Sequence, residues 1–202
     1  MKSSVILCAV FAGGVFVGYV DVLPEFMTAA GGPSLWALYV LLFLVGIGIG
    51  GSGKAWRVLK RLHARAILVP LSVVAGTFLG VGLVGLVLPG LRLSESLAVG
   101  AGFGYYSLSS VIIREQFNNE ILGAVALTSN MIREIVTLIM VPLLVRWFGK
   151  LVPIGVGGAT TMDSTLPVIT KFTGKEYAMI AVFSGVVLTL LVPILVPLLL
   201  SL

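Results

Sequence analysis

Seven apolar stretches, at 5–22, 35–51, 66–91, 96–113, 121–145, 151–170 and 178–200, occupy nearly the whole chain. About 20 apolar residues in a helix match the hydrocarbon thickness of a bilayer, and only helices or closed barrels satisfy their backbone polar groups in lipid. With 58% hydrophobic and 10% charged residues among 202, the chain has too little polar surface for a water-soluble globule. The expected fold is an all-α polytopic membrane protein, with residues 1–202 forming a single membrane domain.

The formal charge of +5 would suggest nucleic acid as a partner in a soluble chain, but here the charge has a topological meaning. Five of the thirteen basic residues, Lys54, Arg57, Lys60, Arg61 and Arg65, fall between the second and third stretches. Such a loop is retained in the cytoplasm. The preceding loop carries Asp21 and Glu25 without Lys or Arg, so it faces outside and the N-terminus faces in. Lys2 before an apolar run resembles a signal peptide, yet the run is long and leads into more membrane segments. It is read as the first helix. If all seven stretches cross, Arg92, Arg146 and Lys150 lie outside; if the fourth and sixth are re-entrant, Arg92 and Arg114 do. Both arrangements put the C-terminus outside.

Two stretches are poor as continuous helices. The fourth contains Gly100, Gly102, Gly104, Tyr105, Tyr106, Ser107, Ser109 and Ser110, weak helix formers where a span is ordinarily rich in Leu and Val. The sixth contains Pro153, Gly155, Gly157, Gly158 and Pro167 around Thr160, Thr161, Asp163 and Ser164. Non-helical backbone at membrane depth survives only inside protein or beside water, and discontinuous helices are where secondary transporters build their binding sites. Both are therefore expected to be broken or re-entrant. Gly13-Gly14 before Asp21 and Pro24 matches Gly157-Gly158 before Asp163 and Pro167 loosely enough that an inverted repeat and chance account for it equally. In the third stretch, Gly76, Gly80, Gly82 and Gly85 read as helix-packing positions.

The polar residues of the fifth stretch share a face. Asn130, Arg133, Glu134 and Thr137 are spaced i, i+3, i+4 and i+7. Intramembrane acids are costly and are functional-site candidates. Glu134 and Asp163 make two acids against one base, Arg133, whereas a purely structural ion pair needs one of each. The imbalance leaves room for one cation, a substrate ammonium or a proton. Burial favours a protonated carboxyl and a nearby cation favours the ionised one, so the pair can alternate between those loads. Arg133 is read as holding a substrate carboxylate or poising Glu134. Asn130, Thr160, Thr161, Ser164, Tyr106 and Ser107 are the supporting candidates. Asp21 reads as a cap on the outer end of the first helix.

Other chemistries fit poorly. Gly48-Ile-Gly50-Gly51-Ser52-Gly53-Lys54-Ala55 nearly forms a phosphate-binding loop, but Ala55 lacks the hydroxyl that holds magnesium and no strand precedes it. Ser52 has no helical histidine facing it; His63, the only one, sits in the basic loop. An aspartyl protease needs paired aspartates in particular motifs, and Cys8 alone makes neither a disulfide nor a metal cluster. No enzyme activity, metal or organic cofactor is expected.

Gly102-Phe-Gly104-Tyr105-Tyr106-Ser107-Leu-Ser109, Asn130-Met-Ile-Arg133-Glu134-Ile and Gly158-Ala-Thr160-Thr161-Met162-Asp163-Ser164-Thr165-Leu-Pro167, followed by Leu191-Val192-Pro193-Ile194-Leu195, resemble the lysine exporter family, LysO. The resemblance runs from about residue 5 to the C-terminus. It implies export of L-lysine, and of toxic lysine analogues, across the inner membrane in exchange for protons, with the family's intramembrane acidic pair at Glu134 and Asp163. Longer members carry further helices before this region. The resemblance thus implies a separately encoded small membrane subunit, or a homodimer, in their place. A sodium–proton antiporter suits paired acids at broken helices too, and an assembly subunit whose polar core only binds a partner remains the reading from a different class.

Overall fold

The computed structural model describes residues 67–87 and 90–202, together with the isolated helical positions Trp36, Val40, Phe43 and Ile47. The expectations for Cys8, Asp21, His63, the basic cluster and the first half of the inverted repeat lie outside the described residues. Among the described residues there are seven α-helices, one 3-10 segment and no strand.

Helix α1 (Leu68–Val87) and the last helix, α7 (Lys175–Leu200), are long and apolar enough to cross a membrane. Leu79, Leu86 and Val87 on α1 and Ile194 and Leu198 on α7 point outward, which suits helices whose solvent is hydrocarbon. The protein is a helical membrane protein. Between these two lie α2 (Leu93–Gly100), α3 (Tyr106–Phe117), α4 (Glu120–Phe148), α5 (Val152–Gly157), the 3-10 segment Gly158–Met162 and α6 (Leu166–Thr173). At 29 residues α4 extends about 43 Å at 1.5 Å per residue, long enough to reach from one side of a bilayer to the other. Asn119 starts it, its Oδ1 accepting the Leu122 amide at 3.0 Å, and Asn118 turns the chain in the left-handed region at φ 50°.

The chain stops being helical where its weak helix formers cluster. After α2, residues Ala101–Tyr105 form a turn before α3 begins; after α5, the 3-10 segment and residues Asp163–Thr165 intervene before α6. Each of these four helices, at 12 residues or fewer, is shorter than the hydrocarbon core. The core forms around the interruptions: Phe103, Leu108, Ile112 and Ala159 pack with Leu188, Val192 and Val196 of α7. A second cluster joins Val141, Ile154, Ile169 and Ala181. At Gly185, α7 approaches the 3-10 segment so closely that a Cβ would stand 2.8 Å from the Ala159 carbonyl oxygen.

Of the glycines on α1, Gly85 makes the close approach expected of a packing position, where a Cβ would lie 2.7 Å from the Ser96 side chain. A Cβ at Gly76 or Gly80 would meet nothing within 4 Å among the described residues. The difference follows from the face each glycine takes: Gly85 turns toward Ser96 of α2, whereas Gly76 and Gly80 line the cleft between α1 and α5.

Candidate functional site

The polar stripe of α4 runs along both interruptions. Asn130 is buried and fully hydrogen-bonded: its Oδ1 accepts the Gly104 amide at 2.7 Å, while its Nδ2 donates to the Val99 carbonyl at 3.0 Å and the Ala126 carbonyl at 2.9 Å. It thereby satisfies backbone groups freed on both sides of the first interruption, as buried polar groups require. One turn on, the Arg133 guanidinium donates to the carbonyls of Val156 at 2.8 Å and Gly155 at 3.2 Å and to the Thr77 hydroxyl at 3.3 Å. Thr137 is buried beside Gly157 and donates to the Arg133 carbonyl at 2.7 Å.

Glu134, next to Arg133 in sequence, looks the other way. It lines a cavity of about 220 Å³ together with Tyr105, Tyr106 and Ser107 from the start of α3 and Thr160, Met162, Asp163 and Ser164 from the second interruption. The volume is below the 300–1,000 Å³ usual for drug-sized ligands and suits a small solute. Two carboxylates therefore share one chamber. Among the described residues no Lys or Arg lies within ion-pair distance of either, and none lines the cavity. The Asp163 Oδ1 accepts the Ser164 amide at 2.6 Å, and the Glu134 carboxylate has no hydrogen bond to a described residue. The N-terminal end of α3, which carries partial positive charge, opens onto the same space.

The structure thus brings together six of the sequence candidates, Glu134, Asp163, Thr160, Ser164, Tyr106 and Ser107. Thr160 also donates to the Gly157 carbonyl at 3.0 Å. Three candidates lie elsewhere. Asn130 staples the first interruption, and Arg133 faces two clefts along α1, of about 860 and 300 Å³. Thr161 is buried, its hydroxyl shared between the carbonyls of Gly158 at 2.7 Å and Ala181 at 2.9 Å, which ties the 3-10 segment to α7. The stripe of α4 is split because its width spans two neighbours, with Glu134 on the edge toward α3 and Arg133 on the edge toward α5. Sequence reasoning missed Thr77, the partner of Arg133 from α1; a single threonine between Gly76 and Phe78 gives no signal. It also missed Met162, which lines the cavity and whose thioether accepts a bond from Thr189 at 3.6 Å.

No solved structure matches this chain. Its sequence is 34% identical over 190 residues to the lysine exporter LysO of Escherichia coli K12, an alignment covering 94% of this chain and 62% of the relative. A Haemophilus influenzae protein, whose name proposes lysine export, is 29% identical over 182 residues, 90% of each chain. The chain spans a little over three fifths of the Escherichia coli relative and nine tenths of the Haemophilus one. The family model for the lysine exporter LysO matches residues 8–200, so this chain belongs to the lysine exporter LysO family.

Proposed function

We propose that this protein is a multi-pass secondary transporter of the inner membrane that exports L-lysine, and toxic lysine analogues, in exchange for protons. The observation that carries the reading is the chamber in which Glu134 and Asp163 meet without a basic partner among the described residues. An unneutralised pair of acids at membrane depth is expensive, and the cost is offset when a cation occupies the space. The substrate ammonium and the counter-moving proton are two loads for the same carboxylates, which gives obligatory exchange: one enters only as the other leaves. Tyr106, Ser107, Thr160 and Ser164 supply hydroxyls for the remaining ammonium hydrogens. The membership of the chain in a lysine exporter family supports lysine as the cation.

In this reading the fourth and sixth stretches are broken or re-entrant and meet at their interruptions, the N-terminus is cytoplasmic and the C-terminus is outside. We place beside this chain, as its partner, a separately encoded small membrane subunit or a second copy of the chain.

The test is lysine-driven proton movement in proteoliposomes, with and without a co-expressed small subunit, for the wild-type chain, Glu134→Gln and Asp163→Asn. Labelled lysine should exchange against unlabelled lysine and against a proton gradient. Counterflow with sodium and none with lysine would replace lysine by a small inorganic cation. Export-competent cells carrying Glu134→Gln would reduce the polar core to an assembly role.

A further inference from the structure

We propose that Arg133 is a positioning residue of the transport site: it holds the C-terminal end of half-helix α5, and through it the segment bearing Thr160 and Asp163, without touching the substrate. The proposal rests on the lysine-transport reading above for its kinetic consequences, and on geometry alone for its structural ones.

Helix α5 ends at Gly157, so its last four carbonyls have no partner within the helix. The Gly158 amide takes the Ile154 carbonyl. The next two, Gly155 and Val156, are taken by Arg133 through Nη2 and Nε. A planar guanidinium fork matches two successive carbonyls in a way that a point charge does not, and its positive charge complements the negative end of the helix. The third contact, from Nη1 to Thr77, ties the same guanidinium to α1. One side chain therefore fixes α5 against α1 and α4 together.

The consequence reaches the cavity through the backbone. Arg133 and Glu134 are neighbours on α4, and Asp163 follows the end of α5 by six residues through the tightly packed 3-10 segment. Fixing α5 on Arg133 therefore sets the separation of the two carboxylates. A guanidinium gripping the substrate carboxylate would have to face their cavity, whereas Arg133 lines the clefts beside α1 and is absent from the cavity wall.

The experiment has a structural arm and a kinetic arm, both on the full-length chain in a Cys8→Ala background. In the structural arm, Val73→Cys and Gly155→Cys are introduced, since a Cβ at position 155 would lie 3.9 Å from the Val73 Cγ2, which makes these two facing positions the pair to cross-link by oxidation. Oxidative cross-linking should be rapid with Arg133 present and slowed by roughly tenfold with Arg133→Gln, the loss expected when charged hydrogen bonds are removed. An unchanged cross-linking rate overturns the proposal, and this readout needs no transport.

In the kinetic arm, uptake of labelled L-lysine is compared with that of 1,5-diaminopentane, which keeps both ammonium groups and lacks the carboxylate. Arg133→Gln should lower the maximal rate for both substrates by the same factor and leave the lysine KM within about threefold. Arg133→Lys should restore part of the rate, and the oxidised disulfide between positions 73 and 155 should restore more. A lysine KM raised tenfold or more with diamine uptake spared overturns the proposal in favour of a carboxylate clamp. Wild-type protein that moves neither substrate refutes the lysine reading while the cross-linking result still decides the role of Arg133.

Discussion

The Ala159 amide donates to the Phe103 carbonyl at 2.8 Å, joining the two interrupted helices at the points where each leaves helical geometry. Phe103 reaches that position in the left-handed region at φ 47°, with its ring buried and tilted against Phe78 at 5.8 Å. A non-glycine residue held there is strained, and the strain is sustained by packing on every side. The freed backbone of one interruption is thus satisfied in part by the other, and Asn130 completes the set at Gly104.

Gly158 sits at this crossing with φ 64°, and a Cβ there would overlap the Phe103 carbonyl. Gly158→Ala should therefore separate the two interruptions and destabilise the fold by about 2 kcal/mol or more, combining backbone strain with overpacking. The check is denaturant unfolding in detergent followed by circular dichroism. A midpoint equal to that of the wild type would mean that the crossing is loose.

Asn130→Leu keeps the side-chain size and removes every hydrogen bond. The buried Gly104 amide would then lose its partner and the Val99 carbonyl would keep only the Gly102 amide, at a cost of about 1–3 kcal/mol. Thr128→Val on the same helix, whose exposed hydroxyl only bonds back to the Ala124 carbonyl, should change stability by less than about 0.5 kcal/mol. Equal unfolding midpoints for the two variants would refute the stapling role of Asn130.

Much of this arrangement could be read from residue order. Gly102, Gly104 and Ser107 break helical propensity in one place, as Gly157, Gly158 and Pro167 do in another, and Glu134 and Asp163 are conspicuous because the fifth and sixth apolar stretches hold these two acids against one base, Arg133. What could not be read is which edge of α4 each polar residue takes. Spacing puts Asn130, Arg133 and Glu134 on one face, but that face is wide enough to touch two neighbours, and only tertiary packing sends Arg133 to the α5 carbonyls and Glu134 to the chamber. The same limit applied to α1, where four glycines look alike in sequence and only packing shows that Gly85 faces Ser96 while Gly76 and Gly80 face a cleft.

That selection is testable. Gly85→Val should disrupt the α1–α2 contact at Ser96 and lower expression of folded protein, whereas Gly76→Ala and Gly80→Ala should be neutral or stabilising by about 0.5–1 kcal/mol, the usual gain of alanine over glycine inside a helix. Fluorescence-detected size-exclusion profiles after graded heating rank the three. Loss of folded protein in Gly76→Ala would show that another helix seats against that face.

The two acids should behave unlike the residues that build their chamber. The Glu134 carboxylate makes no hydrogen bond to a described residue, and the Asp163 contact to the Ser164 amide is one that an asparagine oxygen reproduces. Glu134→Gln and Asp163→Asn should therefore leave unfolding midpoints within about 0.5 kcal/mol of the wild type. Each removes a charge from the site that receives the substrate ammonium, and a charge-assisted hydrogen bond contributes about 1.5–3 kcal/mol, so lysine export should fall by about tenfold or more. Proteoliposome flux and unfolding measured on the same preparations make the comparison. Variants that lose flux and stability in proportion would assign both carboxylates to the scaffold, whereas lost flux at retained stability is what a cation-binding pair requires.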